Sequence, residues 1–237
     1  MNAALSQSNR RDWYAYGALL AVGAAFYVIC REFPAELPLF LPWEFSWVTF
    51  LAAALSLGWF VRGLRVLPQD ARPRNWRIGA FVLGLFSIYA VLQTHIDYSA
   101  QPAFFVPRAQ QLVLHNVGRF LIALGASGPV VRAGLPDFVR RMTDWRPLHR
   151  IVNFMQYPAI APVLFVGLLY FWLTPAIHTP AMLDRDLYDV MNWSMAINGI
   201  FFWSLILDPR PTPPARVSAL LRMALILVIE LPQMLLG

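Results

Sequence analysis

Residues 78–96 read IGAFVLGLFSIYAVLQTHI and contain no Asp, Glu, Lys or Arg. An α-helix rises about 1.5 Å per residue, so a run of about 20 apolar residues is long enough to cross the hydrocarbon core of a bilayer. A lone strand would leave backbone groups unpaired in lipid, and the stretch therefore predicts a transmembrane helix. Arg74 and Arg77 precede it and Asp97 follows it, which places opposite charges at its two ends.

Six further apolar stretches flank this one, at residues 13–30, 45–61, 109–131, 151–173, 187–207 and 217–236. Of the 237 residues, 58% are hydrophobic and 14% are charged, whereas a soluble domain has about 25% charged residues. Proline-rich segments separate most of the stretches, as expected because proline ends helices. We predict an all-α fold, a polytopic membrane helix bundle of seven transmembrane helices that forms a single integral-membrane domain over residues 1–237.

All 19 basic residues are arginines, and most of them fall in alternate loops. With the N-terminus in the cytoplasm, fifteen arginines lie on the cytoplasmic side, three lie on the outer side, and Arg119 lies within a helix. Arginine-rich loops are retained in the cytoplasm, so this distribution predicts an N-in, C-out topology. A net charge of +6 would by itself suggest nucleic-acid binding. Because the charge is divided among separate loops, we predict no nucleic-acid partner.

Two ionisable residues interrupt the apolar stretches, Arg119 in the fourth and Glu230 in the seventh. A charged side chain in lipid is unfavourable unless it has a partner or a function. The two residues lie at similar depths from the outer ends of their stretches, and an arginine side chain is long enough to span the difference. We predict an intramembrane polar pair. A structural clamp between helices is the favoured interpretation, and the polar site of a transporter or channel is the alternative.

Imidazole and thioether side chains gather toward the predicted outer ends of the helices. His95 ends the third stretch, His115 lies in the outer half of the fourth, and Met191 and Met195 lie near the start of the sixth. These groups suit copper, so the four residues are the candidate metal ligands and copper is the candidate cofactor. Met191 and Met195 are four residues apart, a spacing that favours packing between helices over metal binding.

Catalytic motifs with a known mechanism are missing from the sequence. It has no G-x-S-x-G, H-E-x-x-H or P-loop pattern, and its lone cysteine, Cys30, excludes an intramolecular disulfide. We therefore predict that the protein is not an enzyme. A membrane enzyme that acts on lipid or quinone is the weakest alternative, since no acid–base pair is evident.

Two regions of the sequence resemble the multi-pass CtaG family of cytochrome c oxidase assembly factors. The first, residues 74–136, contains His95-Ile96-Asp97-Tyr98 and Gln111-Leu112-Val113-Leu114-His115. The family has a Pro-Leu-Asp stretch and a His-Met-x-Gln-His motif there. The second, residues 157–211, contains Trp172-Leu173-Thr174-Pro175, then Tyr188 and Asn192, then Gly199-Ile200-Phe201-Phe202-Trp203. The family has a Trp-His-x-Pro element, a pair of histidines and a Gly-x-x-Phe-Trp ending there.

The resemblance implies an assembly factor for a heme-copper oxidase in the bacterial inner (cytoplasmic) membrane, with the lipid bilayer and cytochrome c oxidase subunits as partners. The motif positions that it singles out are Asp97, Gln111, His115, Trp172, Pro175, Tyr188, Asn192 and Trp203. Among the family's imidazoles at these motifs, the chain keeps His115. Gln111, Leu173, Tyr188 and Asn192 stand in the place of the others. These replacements favour a scaffolding role over assistance in copper delivery from the periplasmic side.

Water access to Arg119 distinguishes the two main interpretations. A water-filled cavity that reaches this residue favours a transporter or channel, because a charged group on a transport pathway has to be hydrated. An Arg119 side chain that is packed in protein favours the assembly factor.

The membrane topology can be measured with reporter fusions at six positions. We expect a cytoplasmic signal after Arg74, Arg141 and Arg210, and a periplasmic signal after Glu36, Ala100 and Asp184. The physical reason is the retention of arginine-rich loops in the cytoplasm. A paired phosphatase and fluorescent-protein reporter at each position measures both locations. A periplasmic signal at Arg141 would contradict the seven-helix topology.

Overall fold

The computed structural model describes residues 2–33, 45–93, 116–125, 127–208 and 216–235, with the backbone alone at residues 2–12, 185 and 230–235. Regular structure in these residues is helical throughout, which confirms the all-α class. The helices are α1 (Asn2–Glu32), α2 (Trp47–Val66), α3 (Asn75–Gln93), α4 (Gly118–Leu124), α5 (Gly128–Gly134), α6 (Asp137–Thr143), α7 (Arg146–Met155), α8 (Ile160–Leu173), α9 (Pro175–Leu183), α10 (Arg185–Ile206) and α11 (Ala219–Leu235).

Three of the described helices are long and apolar enough to cross a bilayer, namely α2, α3 and the Trp13–Glu32 part of α1. Helices α7 and α8 together meet the same criterion but are bent by 80° at the break between them. Helix α11 contributes a shorter apolar segment, Ala219–Ile229. These helices indicate a membrane protein, whereas the seven spans and the N-in, C-out orientation stay predictions.

Two stretches that the sequence predicts as single helices are interrupted in the structure. The predicted helix 109–131 is described from residue 116 onward, and there it divides into α4 and α5. Pro129 occupies the first turn of α5, where a residue without a backbone N–H fits. The predicted helix 151–173 divides into α7 and α8, and Pro158 lies in the break. Proline inside a helix removes a hydrogen bond and clashes with the preceding turn, so a new helix begins after it.

Two segments that the sequence assigns to loops are helical. Residues 132–150 form the end of α5, all of α6 and the start of α7. Pro175 to Pro180 lies in α9, with Pro175 in the first turn. Proline is well suited to the first turn of a helix, so the same residue that ends α8 starts α9.

Glycines allow the backbones of α2 and α3 to lie in direct contact with those of α5 and α4. A Cβ atom at Gly63 of α2 would overlap the carbonyl oxygen of Val130 on α5, and one at Gly134 of α5 would overlap the carbonyl oxygen of Trp59. At Gly84 of α3, a Cβ would lie 2.7 Å from the carbonyl oxygen of Gly118. Small residues at such crossings permit close van der Waals contact, which drives helix association in lipid. Helix α5 therefore lies directly on α2, and α4 lies directly on α3.

Aromatic side chains fill the spaces between the other helices. The ring centroids of Phe60 and Phe81 lie 4.2 Å apart between α2 and α3, and those of Phe165 and Phe202 lie 4.9 Å apart between α8 and α10. Both pairs belong to buried clusters. One cluster joins α2 and α3 to α4 and α5, and the other joins α4 to α8, α10 and α11, so α4 belongs to both.

Helix ends with different charge occupy opposite ends of the bundle. Hydrogen bonds bring together the start of α2, the end of α3 and the start of α10. Arg65, Arg74 and Arg77 lie at the other end, where α2 finishes and α3 begins. Trp59, near the end of α2, donates a hydrogen bond to Tyr16 in the first half of α1 at 3.2 Å, so α1 runs antiparallel to α2.

The crossing of α2 and α5 can be tested with Gly134→Ala. We expect a loss of about 1–3 kcal/mol of stability, because the new methyl group has to displace the backbone of Trp59. The midpoint of thermal unfolding in detergent measures the effect. Gly58→Ala on α2 is the matched control, since a Cβ there meets nothing within 4 Å. Equal midpoints for the two variants would contradict the backbone contact.

Candidate functional site

Arg119 lies in the interior of the bundle and is 3% exposed. It belongs to the first turn of α4, and its side chain reaches α10 at Gly199. A Cβ atom at Gly199 would overlap Arg119 Cδ and would lie 2.5 Å from Nη1 and 3.0 Å from Nε. The guanidinium group thus occupies the volume in which any other residue at position 199 would place its side chain.

A small cavity adjoins the Arg119 side chain, with a volume of about 20 Å³. Asn116, Asn198 and Met195 line it together with apolar residues of α8. About 10–15 Å³ on this measure is the space of one water molecule, so the cavity can hold a single bridging water. In the part of the chain that the structure describes, Arg119 is therefore packed by protein, with room for one water beside it.

Aromatic rings fix the helices on which Arg119 and Gly199 lie. The ring centroids of Phe120 and Trp203 are 5.1 Å apart and perpendicular, and those of Trp203 and Phe202 are 5.7 Å apart. Such edge-to-face pairs contribute about 0.5–1.5 kcal/mol beyond the burial of their surface. The predicted motif residue Trp203 is buried, and its ring packs α10 against Phe120 of α4.

A second group of polar residues, Ser46, Thr49, Gln93 and Asp189, joins three helices at one end of the bundle. We call it the end cluster. The backbone N–H of Ser46 donates to Gln93 Oε1 at 3.4 Å, and Gln93 Nε2 donates to the carbonyl oxygen of Ser46 at 3.4 Å. The Ser46 hydroxyl donates to Asp189 Oδ2 at 3.1 Å, and Thr49 Oγ1 donates to Ser46 Oγ at 3.3 Å. The end cluster therefore sets the register of α2, α3 and α10.

The candidate ligands Met191 and Met195 pack in a buried apolar cluster with Trp172 and Ala181. Tyr188 is partly buried against the same cluster. Trp172 Nε1 donates to Ser194 Oγ at 3.0 Å, and that hydroxyl donates to the carbonyl oxygen of Met191 at 2.9 Å. The structure therefore brings two thioethers and two predicted motif residues together. The motif residue Pro175 begins α9, which packs on this cluster through Ala181.

Three buried nitrogen atoms on α10 have no hydrogen-bond acceptor among the described residues, and one of them belongs to Asn192. It is buried, and its Nδ2 has no acceptor among the described residues. The indole nitrogen atoms of Trp193 and Trp203 are in the same condition. A buried donor without an acceptor lowers the stability of the fold, so an acceptor such as a water molecule is expected next to each of these nitrogen atoms.

Several predicted site residues lie outside the described residues. These are His95, Asp97, Gln111 and His115. The structure places Glu230 on α11 but describes no side chain for it, so its pairing with Arg119 stays a prediction. The assignment of His95, His115, Met191 and Met195 to a metal site also stays a prediction. Among the described residues, no group of three or more His, Cys, Asp or Glu side chains could hold a metal ion.

Sequence reasoning missed the end cluster and the role of Gly199. Ser46 precedes the helical residue Trp47 and caps it, which is a signal available in the sequence. Gln93 is a polar residue that ends α3 and directly follows apolar residues. Gly199 was visible only as part of a motif, because the contact with Arg119 depends on how α4 and α10 cross.

The contact between Arg119 and Gly199 can be tested with a double-mutant cycle. We expect Gly199→Ala to lower stability by about 1–3 kcal/mol, because its methyl group overlaps the arginine side chain. Arg119→Ala should lower the folded yield, and Gly199→Ala should cost less in that background. Thermal unfolding and size-exclusion yield measure both effects. Gly167→Ala on α8, where a Cβ meets nothing within 4 Å, is the control. An equal cost of Gly199→Ala in both backgrounds would contradict the contact.

Comparison with known proteins places these features in a family. The profile of the family described as cytochrome c oxidase caa3 assembly factor (Caa3_CtaG) matches residues 58–237. An uncharacterized protein of Mycobacterium bovis and one of Mycobacterium tuberculosis are each 25% identical over 196 residues. The alignments cover 75% of this chain and 29% of each relative, so the chain spans less than a third of these relatives. No solved structure matches. The family match covers α3 to α11 and most of the polar residues described above, and the chain belongs to the Caa3_CtaG family.

Proposed function

We propose that this protein is an integral-membrane assembly factor for a heme-copper oxidase, and that it acts as a scaffold for an oxidase subunit in the bacterial inner membrane. Membership of the Caa3_CtaG family over residues 58–237 is the observation that carries the oxidase link. The helices long enough to cross a bilayer support a membrane location. The family's role in assembly also supports a function without catalysis.

The chemistry of the region around α8, α9 and α10 supports scaffolding over copper delivery. The resemblance described above implies imidazoles at three positions where this chain has Leu173, Tyr188 and Asn192. Met191 and Met195 supply thioethers, but both are buried against Trp172 and Ala181. Copper(I) binding favours several soft donors that can reach one point. The described residues of this region offer two thioethers in an apolar contact, which is a poor copper site.

The surroundings of Arg119 favour this proposal over a transporter or channel. A transport pathway requires a hydrated passage along its charged groups. Arg119 is 3% exposed, and the cavity beside it has room for about one water. The contact with Gly199 fits a structural clamp that holds α4 against α10.

The scaffolding proposal is tested by deletion and by His115→Ala in the organism of origin. We expect deletion to lower the amount of assembled oxidase, measured by heme spectra and by oxidase activity of membranes. His115→Ala should retain most of that activity, because a scaffold does not depend on the imidazole. His149→Ala, which changes an exposed residue of α7, is the matched control. Purified protein should carry well below one copper per chain.

Two outcomes would contradict the proposal at different levels. One tightly bound copper per chain, lost together with oxidase activity in His115→Ala, would replace scaffolding with copper delivery. Normal oxidase levels after deletion would overturn the oxidase link itself. A reduced oxidase level with no copper bound and a tolerant His115→Ala is the result that the scaffold requires.

A further inference from the structure

Helices α6 and α7 form a separate element beside the bundle, which we call the elbow (residues 137–155). Helix α7 leaves the axis of the apolar helix α8 at 80°. If α8 crosses the bilayer, α7 lies close to the plane of the membrane. A residue from another part of the chain stabilises the bend. Arg216, just before α11, donates hydrogen bonds to the carbonyl oxygens of Asn153 and Gln156 at 3.2 and 3.3 Å. The last turn of α7 is therefore tied to α11.

The elbow separates apolar from polar side chains, and most residues of both sets are exposed. At about 100° per residue, one side of α7 carries Arg146, His149, Arg150 and Asn153, and the other side carries Leu148, Ile151, Phe154 and Met155. Ile151 is 55% exposed and Phe154 is 60% exposed. Phe138 and Met142 of α6 and the connecting Trp145 are exposed as well. A row of exposed apolar groups on a strongly polar helix is typical of a helix embedded in the surface of a bilayer.

The arginines of the elbow and Arg132, which lies next to it at the end of α5, divide into two groups. Arg132 and Arg140 form ion pairs with Asp144 and Asp137, both at 2.6 Å. Arg141, Arg146 and Arg150 are exposed, and they form no ion pair with any residue that the structure describes. As far as the described residues extend, the elbow therefore presents three positive charges without an ion-pair partner next to its apolar surface. Anionic lipid headgroups have the complementary charge and lie at the same depth as an interfacial helix.

We propose that the elbow is a binding surface for anionic phospholipid headgroups. Its apolar side enters the acyl boundary through Ile151 and Phe154, and Arg141, Arg146 and Arg150 hold phosphate groups at the level of the headgroups. Arginine suits this task because its planar group binds phosphate oxygens in pairs. This surface is independent of the oxidase proposal, since it requires only that α8 lies in the membrane.

The depth of the elbow is measured by fluorescence of the full chain in lipid nanodiscs. In a Cys30→Ala background, which removes the one native thiol, Ile151→Cys and His149→Cys are each labelled with an environment-sensitive dye. We expect blue-shifted emission and quenching by lipids spin-labelled near the carbonyl groups at position 151, and aqueous emission at position 149. Aqueous emission at both positions would overturn the proposal, and shielding of 151 only after an oxidase subunit is added would identify a protein interface instead.

Headgroup preference is measured with the dye at position 151 and spin-labelled phosphatidylglycerol or phosphatidylcholine. We expect phosphatidylglycerol to quench at least about twofold more strongly, and 0.5 M salt to reduce this preference. The triple variant Arg141→Gln/Arg146→Gln/Arg150→Gln should lose the preference and keep the depth. The triple variant Arg31→Gln/Arg65→Gln/Arg74→Gln, which changes exposed arginines elsewhere and lowers the net charge equally, should keep both. Equal quenching by the two lipids in the unmodified elbow, or equal loss in both triple variants, would overturn the proposal.

Discussion

A guanidinium group enclosed in the middle of an apolar bundle is the constraint on which the rest of the structure depends. Placing arginine at the centre of a bilayer costs about 2.5–3.5 kcal/mol even on the mildest scale. The bundle makes room for this group through the missing side chain at Gly199, and Asn116 and Asn198 line the small cavity beside it. For these groups to converge, α4, α8 and α10 have to meet at one level. The contact between Phe120 and Trp203 holds α4 against α10, and the contact between Phe165 and Phe202 holds α8 against α10.

The short helices follow from the same requirement. Helix α4 has only seven residues, and a continuous helix in its place would carry α5 straight on, away from α2. The break before Pro129 turns the chain so that Gly134 reaches the backbone of Trp59. The break at Pro158 has the opposite effect, since it releases α7 from the bundle while α8 remains in it. Prolines and glycines thus decide which segments join the core and which lie beside it.

The fold class, the burial of Arg119 and the family could be predicted from the sequence, because each rests on properties of single stretches. An apolar run predicts a helix, and a charged residue within one has to face protein. The continuity of a helix could not be predicted in the same way: the sequence predicts one helix over residues 151–173, whereas the structure has two that meet at a bend of 80°. The end cluster was also missed, because Ser46 and Asp189 are 143 residues apart and nothing local indicates their contact. Short stretches of sequence predict single helices, whereas the way in which helices cross depends on contacts throughout the bundle.

The two ends of the bundle have different polar interactions: buried hydrogen bonds at one end and exposed charges at the other. This difference bears on how a scaffold could work. At the end cluster, Gln93, Ser46 and Asp189 form directional hydrogen bonds that fix three helices relative to one another. At the opposite end, Arg141, Arg146 and Arg150 form no ion pair with a described residue and face outward. Hydrogen bonds in a buried site resist sliding of the helices, whereas exposed charges act on whatever lies at the membrane surface. We infer that the end cluster preserves the shape of the bundle, and that the elbow fixes its depth in the lipid. A protein that holds another membrane protein during assembly needs both, because a partner can be positioned only against a surface that is itself fixed in shape and depth.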